Sequence, residues 1–122
     1  TGTLLQSAGL LPGEEPERWN ITHPEKIEDI ARAYYDAGSN IVCTNTFGAN
    51  ILKFSEEELQ NIIENAVKIA RRAKESSKGE QEKFIALDIG PTGKLLKPYG
   101  DFDFEDAVAV FSKTAKSRFV RY

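Results

Sequence analysis

The sequence predicts an α/β fold in which parallel strands alternate with helices. Apolar residues recur at helical spacing in three separate stretches, and two short apolar segments fall between them, the first rich in β-branched residues. Strands separated by a whole helix are joined by crossovers, and crossovers place strands parallel.

The elements follow in order. In residues 24–37, Ile27, Ile30, Ala31 and Tyr34 recur at three and four and share one helical face. Pro24 suits the first turn, where an N–H has no partner to lose, and Gly38 suits the left-handed position that ends a helix. Asn40-Ile41-Val42-Cys43-Thr44-Asn45-Thr46-Phe47 then reads as a strand closed by Gly48. Ser55 and Glu58 form a capping box, after which Leu59, Ile62, Ile63, Ala66, Val67 and Ala70 hold a stripe to about Ala73. Residues 74–83 are polar and predict a loop. Phe84-Ile85-Ala86-Leu87-Asp88-Ile89-Gly90 predicts a second strand, broken by Pro91, Thr92 and Gly93. Asp103 caps a third helix whose inner face is expected to carry Phe104, Ala107, Val108, Phe111 and Ala115. Both strands end on small and polar residues.

With 122 residues, 40% of them hydrophobic and 29% charged, the chain can build one core. Sixteen basic and nineteen acidic residues are interleaved, so nucleic acid is not expected as a partner. No apolar run approaches the roughly 18 to 20 residues that span a bilayer, and no basic n-region opens the chain; no membrane association and a cytoplasmic location are expected. Cys43 is the single cysteine, which excludes a disulfide within the chain. With His23 the single histidine, the chain falls short of the three protein ligands usual for catalytic zinc unless carboxylates complete the set. Two parallel strands leave open edges and an uncovered face, which predicts either further chain or self-association through the exposed sheet edges. Periodicity does not separate an open doubly wound sheet from part of a closed barrel.

The run Ala37-Gly38-Ser39-Asn40-Ile41-Val42-Cys43-Thr44-Asn45-Thr46-Phe47-Gly48-Ala49 resembles the second-strand signature of the homocysteine S-methyltransferase family, centred on Thr-Asn-Thr-Phe-Gly-Ala. Three further segments resemble the family in the same order: Thr1-Gly2-Thr3 with its glycine-rich first loop, Pro16-Glu17-Arg18-Trp19-Asn20 before its first helix, and Gly90-Pro91-Thr92-Gly93 after its third strand. With the following Lys94-Leu95-Leu96-Lys97-Pro98-Tyr99-Gly100, the last segment is most similar to the homocysteine-binding module of cobalamin-dependent methionine synthases.

The resemblance implies a partial (β/α)8 barrel, with residues 1–122 as the N-terminal part of a homocysteine-binding domain that lacks the first strand and the later βα units. It implies transfer of a methyl group to homocysteine thiolate, giving methionine. Zinc would lower the pKa of the thiol, and the methyl would come from methylcobalamin recharged from methyltetrahydrofolate by other modules. The family's Asn-Cys and Gly-Gly-Cys-Cys zinc motifs do not occur here and Cys43 matches neither, so the zinc ligands are expected outside this chain and the isolated segment is expected to be inactive.

Active sites of such barrels gather at the carboxyl ends of the strands. The resemblance therefore implies substrate contacts from Asn45, Thr46, Phe47 and Asp88 at the two strand ends, and from backbone N–H groups of Gly2 and Thr3. Each has a plainer alternative: strand-end hydrogen bonding for Asn45, Thr46 and Asp88, packing for Phe47, a tight turn for Gly2 and Thr3. For Cys43 the expectation is burial as a small apolar group, for His23 a place in the turn or cap before Pro24, and for Trp19 either cover of the pocket mouth or packing under the first helix. Residues 90–93 lack the Lys-Ser/Thr ending of a phosphate loop and read as a turn. Residues 116–122, basic and aromatic, match nothing in the family pattern.

Overall fold

The computed structural model describes residues 2–90, 100 and 103–119, with side chains as far as residue 112. The element order is α1 (Gly2–Ser7), a 3-10 turn (Pro16–Arg18), α2 (Trp19–Thr22), α3 (Pro24–Asp36), β1 (Ile41–Cys43), α4 (Glu56–Ser76), β2 (Phe84–Ala86) and α5 (Phe104–Phe119). The strands β1 and β2 are neighbours and parallel, in the register Ile41 with Phe84, Val42 with Ile85 and Cys43 with Ala86. The mixed α/β character and the parallel crossover are those the sequence predicts.

The helix boundaries follow local chemistry. Pro24 stands in the first turn of α3. Gly38, at φ +105°, takes the conformation that a side chain would resist. The Ser55 hydroxyl accepts the Glu58 N–H at 3.2 Å and caps α4. Both strands are shorter than expected. Beyond Cys43 and Ala86, the Thr44 N–H still reaches the Ala86 carbonyl at 2.9 Å, but threonine hydroxyls then replace the ladder.

One face of the sheet is packed. Val42 sits with Ala31, Tyr35 and Ala73, joining β1 to α3 and α4. Tyr35, fully buried, also donates its hydroxyl to the Phe84 carbonyl at 2.6 Å, so its ring fills the core while its polar end fixes the start of β2. It escapes the expected face because Ile30 and Tyr34, predicted inward, lie at its half-buried margin. Leu59, Ile62 and Ile63 of α4 pack with Ala49 and Phe54. Leu5, Trp19, Ile27 and Ile69 form a further cluster that anchors the N-terminal segment on α3 and α4. Between α3 and α4, Glu28 receives Arg72 at 2.6 Å and Arg32 at 3.0 Å, and the Arg72 bond leads in holding its carboxyl below the usual range.

The other face is bare: Ile41 is 61% and Phe84 54% exposed, and Cys43 is exposed with them. Expected burial of Cys43 is thus corrected, because its side chain points to the face that no described element covers. The third helix is also corrected. Ala107 and Val110 turn inward, whereas Phe104, Val108 and Phe111 face solvent, so α5 presents a narrow small-residue stripe to α4 and leaves its bulkier apolar side outward. Ala115 lies beyond the described side chains.

The strongest core dependence falls on α4. Ile63→Ala, at a fully buried position, is expected to cost about 2 to 5 kcal/mol, and Val108→Ala, on the outer side of α5, about 0.5 kcal/mol or less. Urea unfolding of the two variants checks the order, and equal losses would show that the α5 outer face is covered.

Candidate recess at the strand ends

The carboxyl ends of β1 and β2 open onto a recess of about 340 Å³ lined by Leu5, Pro16, Glu17, residues 43–47 and Asp88. Carboxyl ends of parallel strands are where such sheets bind ligands, because the crossover loops diverge there. Thr46, fully buried, gives its hydroxyl to the Asp88 carbonyl at 2.6 Å, and the Thr44 hydroxyl accepts the Asp88 N–H at 3.2 Å while touching the Thr46 hydroxyl at 2.7 Å. Two threonines thereby lock the strand ends together after the ladder stops. Asp88 is half-buried in the lining, and Phe47 is 58% exposed. Gly90 passes so close beneath the Phe47 carbonyl that a Cβ there would collide with it.

A strap running through residues 16–20 braces the first of these ends. The Asn45 amide donates to the Pro16 carbonyl at 2.7 Å and to the Asn20 side-chain oxygen at 3.0 Å. Asn20, 1% exposed, returns a bond to the Asn45 carbonyl at 2.9 Å and reaches the Ile62 carbonyl at 3.3 Å. Trp19, 3% exposed, packs in the core with its indole N–H on Glu14, so it belongs to the packing and not to the mouth. His23 closes α2 and opens α3, with Nδ1 at 2.8 Å from the Thr22 hydroxyl and its ring 4.4 Å from that of Trp19.

Four of the six predicted contact residues, Asn45, Thr46, Phe47 and Asp88, line this one recess. Gly2 and Thr3 do not. They lie in the first turn of α1, where the sequence suggested a glycine loop after a strand, and it is Leu5 from the same helix that reaches the recess. A helix forms because Leu5 finds a core among Trp19, Ile27 and Ile69 and draws its turn in with it. Residues 91–99, including the rest of the Gly90-Pro91-Thr92-Gly93 motif, lie outside the described residues.

Sequence reasoning missed Glu17. It is 4% exposed and the one ionisable residue among the buried polar groups described, and burial raises its carboxyl pKa above the usual value, offset in part by the Lys53 ammonium, then by its own backbone N–H and least by that of Gly48. A Cβ on Gly48 would stand 2.6 Å from Glu17 Oε1 and 3.2 Å from Lys53 Nζ. The available signal was the fit itself: a glycine in the strand-end loop facing an acid in the preceding segment, a pairing that no local pattern displays.

Over residues 1–121 the sequence matches the family described as homocysteine S-methyltransferase. The chain belongs to that family. It is 33% identical over 105 residues to methionine synthase of Mycobacterium leprae and, to the same degree, to methionine synthase of Mycobacterium tuberculosis; the aligned part is 77% of this chain and 9% of either relative. In fold it is similar to the Escherichia coli homocysteine methyltransferase MmuM, with a TM-score of 0.79 to the metallated form at 20% identity and 0.80 to the oxidized form at 19%, covering 98% of this chain and 47% of the other in each case.

The zinc implied by the family resemblance does not fit the described residues. No three of their His, Cys, Asp and Glu side chains come together as a ligand set, and Cys43 stands at the recess without a second thiol.

The raised Glu17 pKa has a sign that can be measured. A carboxyl that holds its proton more tightly folded than unfolded stabilises the fold fully below the unfolded value, and that stabilisation is lost as pH rises through the folded value. Glu28 and Glu14, both lowered, act in the opposite sense but are common to wild type and variant. Relative to wild type, Glu17→Gln is therefore expected to gain thermal stability progressively as pH rises from the ordinary carboxylate midpoint through the raised folded one. A difference in Tm that stays constant across that range would show that Glu17 is not desolvated.

Proposed function

We propose that this chain forms one wall of a homocysteine pocket in a (β/α)8 barrel whose parent enzyme methylates homocysteine to methionine. The recess shared by the two strand ends carries the reading. It joins two carboxylates, an exposed aromatic ring and a thiol-bearing strand end in a space suited to a small amino acid. Asp88 offers a counter-charge for the ammonium group, Phe47 an apolar contact for the methylene chain, and residues 44–46 a floor already rigid before ligand arrives. In that reading residues 1–122 are an N-terminal part of the barrel domain, the bare sheet face with Ile41, Cys43 and Phe84 lines the interior, and the first strand pairs along the open edge of β1. The fold likeness to MmuM and the family membership support this placement. Zinc, cobalamin and methyltetrahydrofolate act through other parts of the parent.

Calorimetric titration of the chain with homocysteine tests the pocket. Binding is expected, with Asp88→Asn weakening it about two- to fivefold, as loss of a partly exposed ion pair does. Because Cys43 lines the same recess, methionine, whose thioether does not consume the reagent, should also slow its alkylation by a maleimide. Absence of heat together with unprotected alkylation would reject the reading.

A second reading rests on the bare face: two copies of the chain pair through their uncovered strands, burying Ile41 and Phe84. Sedimentation equilibrium is then expected to give a dimer that Phe84→Lys dissociates. A monomer at all concentrations would reject it.

A further inference from the structure

We propose that Glu17 is a positioning residue for the recess, its carboxylate holding the Gly48 amide and so setting the path of Thr46, Phe47 and Gly48 along the pocket wall. Three observations converge. Glu17 is 4% exposed yet enters no ion pair within 4.0 Å among the described residues, so its charge is not retained for a salt bridge. Its oxygen fills the space beside Gly48 where any side chain would stand, so the carboxyl group and the Gly48 backbone are in direct contact. The strap that carries it is fixed at Pro16 and Asn20 by the Asn45 side chain and carbonyl, so Glu17 has a rigid base from which to hold the loop.

A neutral glutamine could accept the same N–H without the cost of burying charge. The charge has a use if the bond must be strong: a carboxylate makes a charge-assisted bond with the loop amide, and a protonated acid makes a weaker one. Phe47 lies between Thr46, tied to Asp88, and Gly48, packed against Glu17, so its backbone is flanked on both sides by contacts. The charged groups that face Glu17 are Lys53 from the loop after β1, Glu15 on its own segment with Arg18 bonded to it, and Asp88 across the recess.

The binding arm of this inference rests on the homocysteine pocket; the structural arm does not. Amide resonances of Thr46, Phe47 and Gly48 in the 122-residue chain are followed against pH in wild type, Glu17→Gln and Asp88→Asn. A common step in wild type, displaced above the ordinary carboxylate midpoint, retained in Asp88→Asn and absent in Glu17→Gln, is expected. A missing step in wild type, or one that survives Glu17→Gln, overturns the proposal. Homocysteine affinity should fall in wild type on acidification with that same midpoint, while Glu17→Gln binds about fivefold more weakly at neutral pH and without that dependence. Equal affinity of the two proteins at every pH overturns positioning by charge. If homocysteine binds neither, the pocket reading fails and the amide step alone decides. Should Glu17→Gln fail to fold, Gly48→Ala, which drives the carboxylate from under the loop, is expected to return the step of Thr46 and Phe47 toward the ordinary midpoint, and a step left unchanged overturns the proposal.

Discussion

Asn20 and Asn45 grip one another across the carboxyl end of β1. Each side-chain amide bonds to the other residue, and each also reaches a backbone carbonyl, at Asn45 and Ile62 for Asn20 and at Pro16 for Asn45. A buried amide left without partners would cost on the order of 1 to 3 kcal/mol, so these bonds act less as added stability than as a condition the surrounding chain must meet. Meeting it fixes three things at once: the strap before α3, the exit of the strand, and the near turn of α4. Trp19 beside Asn20 then falls into the Leu5, Ile27 and Ile69 cluster, and the N-terminal helix follows it.

The same end of the sheet combines a half tied by hydroxyls and a half that holds a buried acid. Thr44 and Thr46 extend strand pairing through hydroxyls, which joins the strand ends beyond the short regular ladder. Glu17 and Gly48 sit opposite, with a buried charge that burial alone disfavours. Stability and site geometry pull apart at this residue, a pattern common where a group is kept for what it holds in place.

Edges and faces left bare carry the other lesson. In α3 and α4 the apolar stripes have partners, whereas Ile41 and Phe84 on the sheet and Phe104 and Val108 on α5 have none among the described residues. A two-stranded parallel sheet with one naked face is not a self-sufficient architecture. The chain spans 9% of the length of the mycobacterial methionine synthases and 47% of MmuM.

Local rules made α3, α4, both strands and their parallel order legible in the sequence, since capping, glycine conformation and apolar spacing act over a few residues. The polar strand ends were legible too, as a place where Asn45, Thr46, Phe47 and Asp88 could meet. Only the tertiary structure decided which side of each element found a partner: Tyr35 more deeply than Tyr34, Cys43 outward, Val110 inward beside the expected Ala107 with Phe104 and Val108 outward, and Gly2 and Thr3 in a helix that reaches the recess through Leu5. It also brought Glu17 under Gly48, residues whose meeting depends on a path through α3 and β1. Burial is a property of what lies across the gap, and periodicity names a face without naming its neighbour.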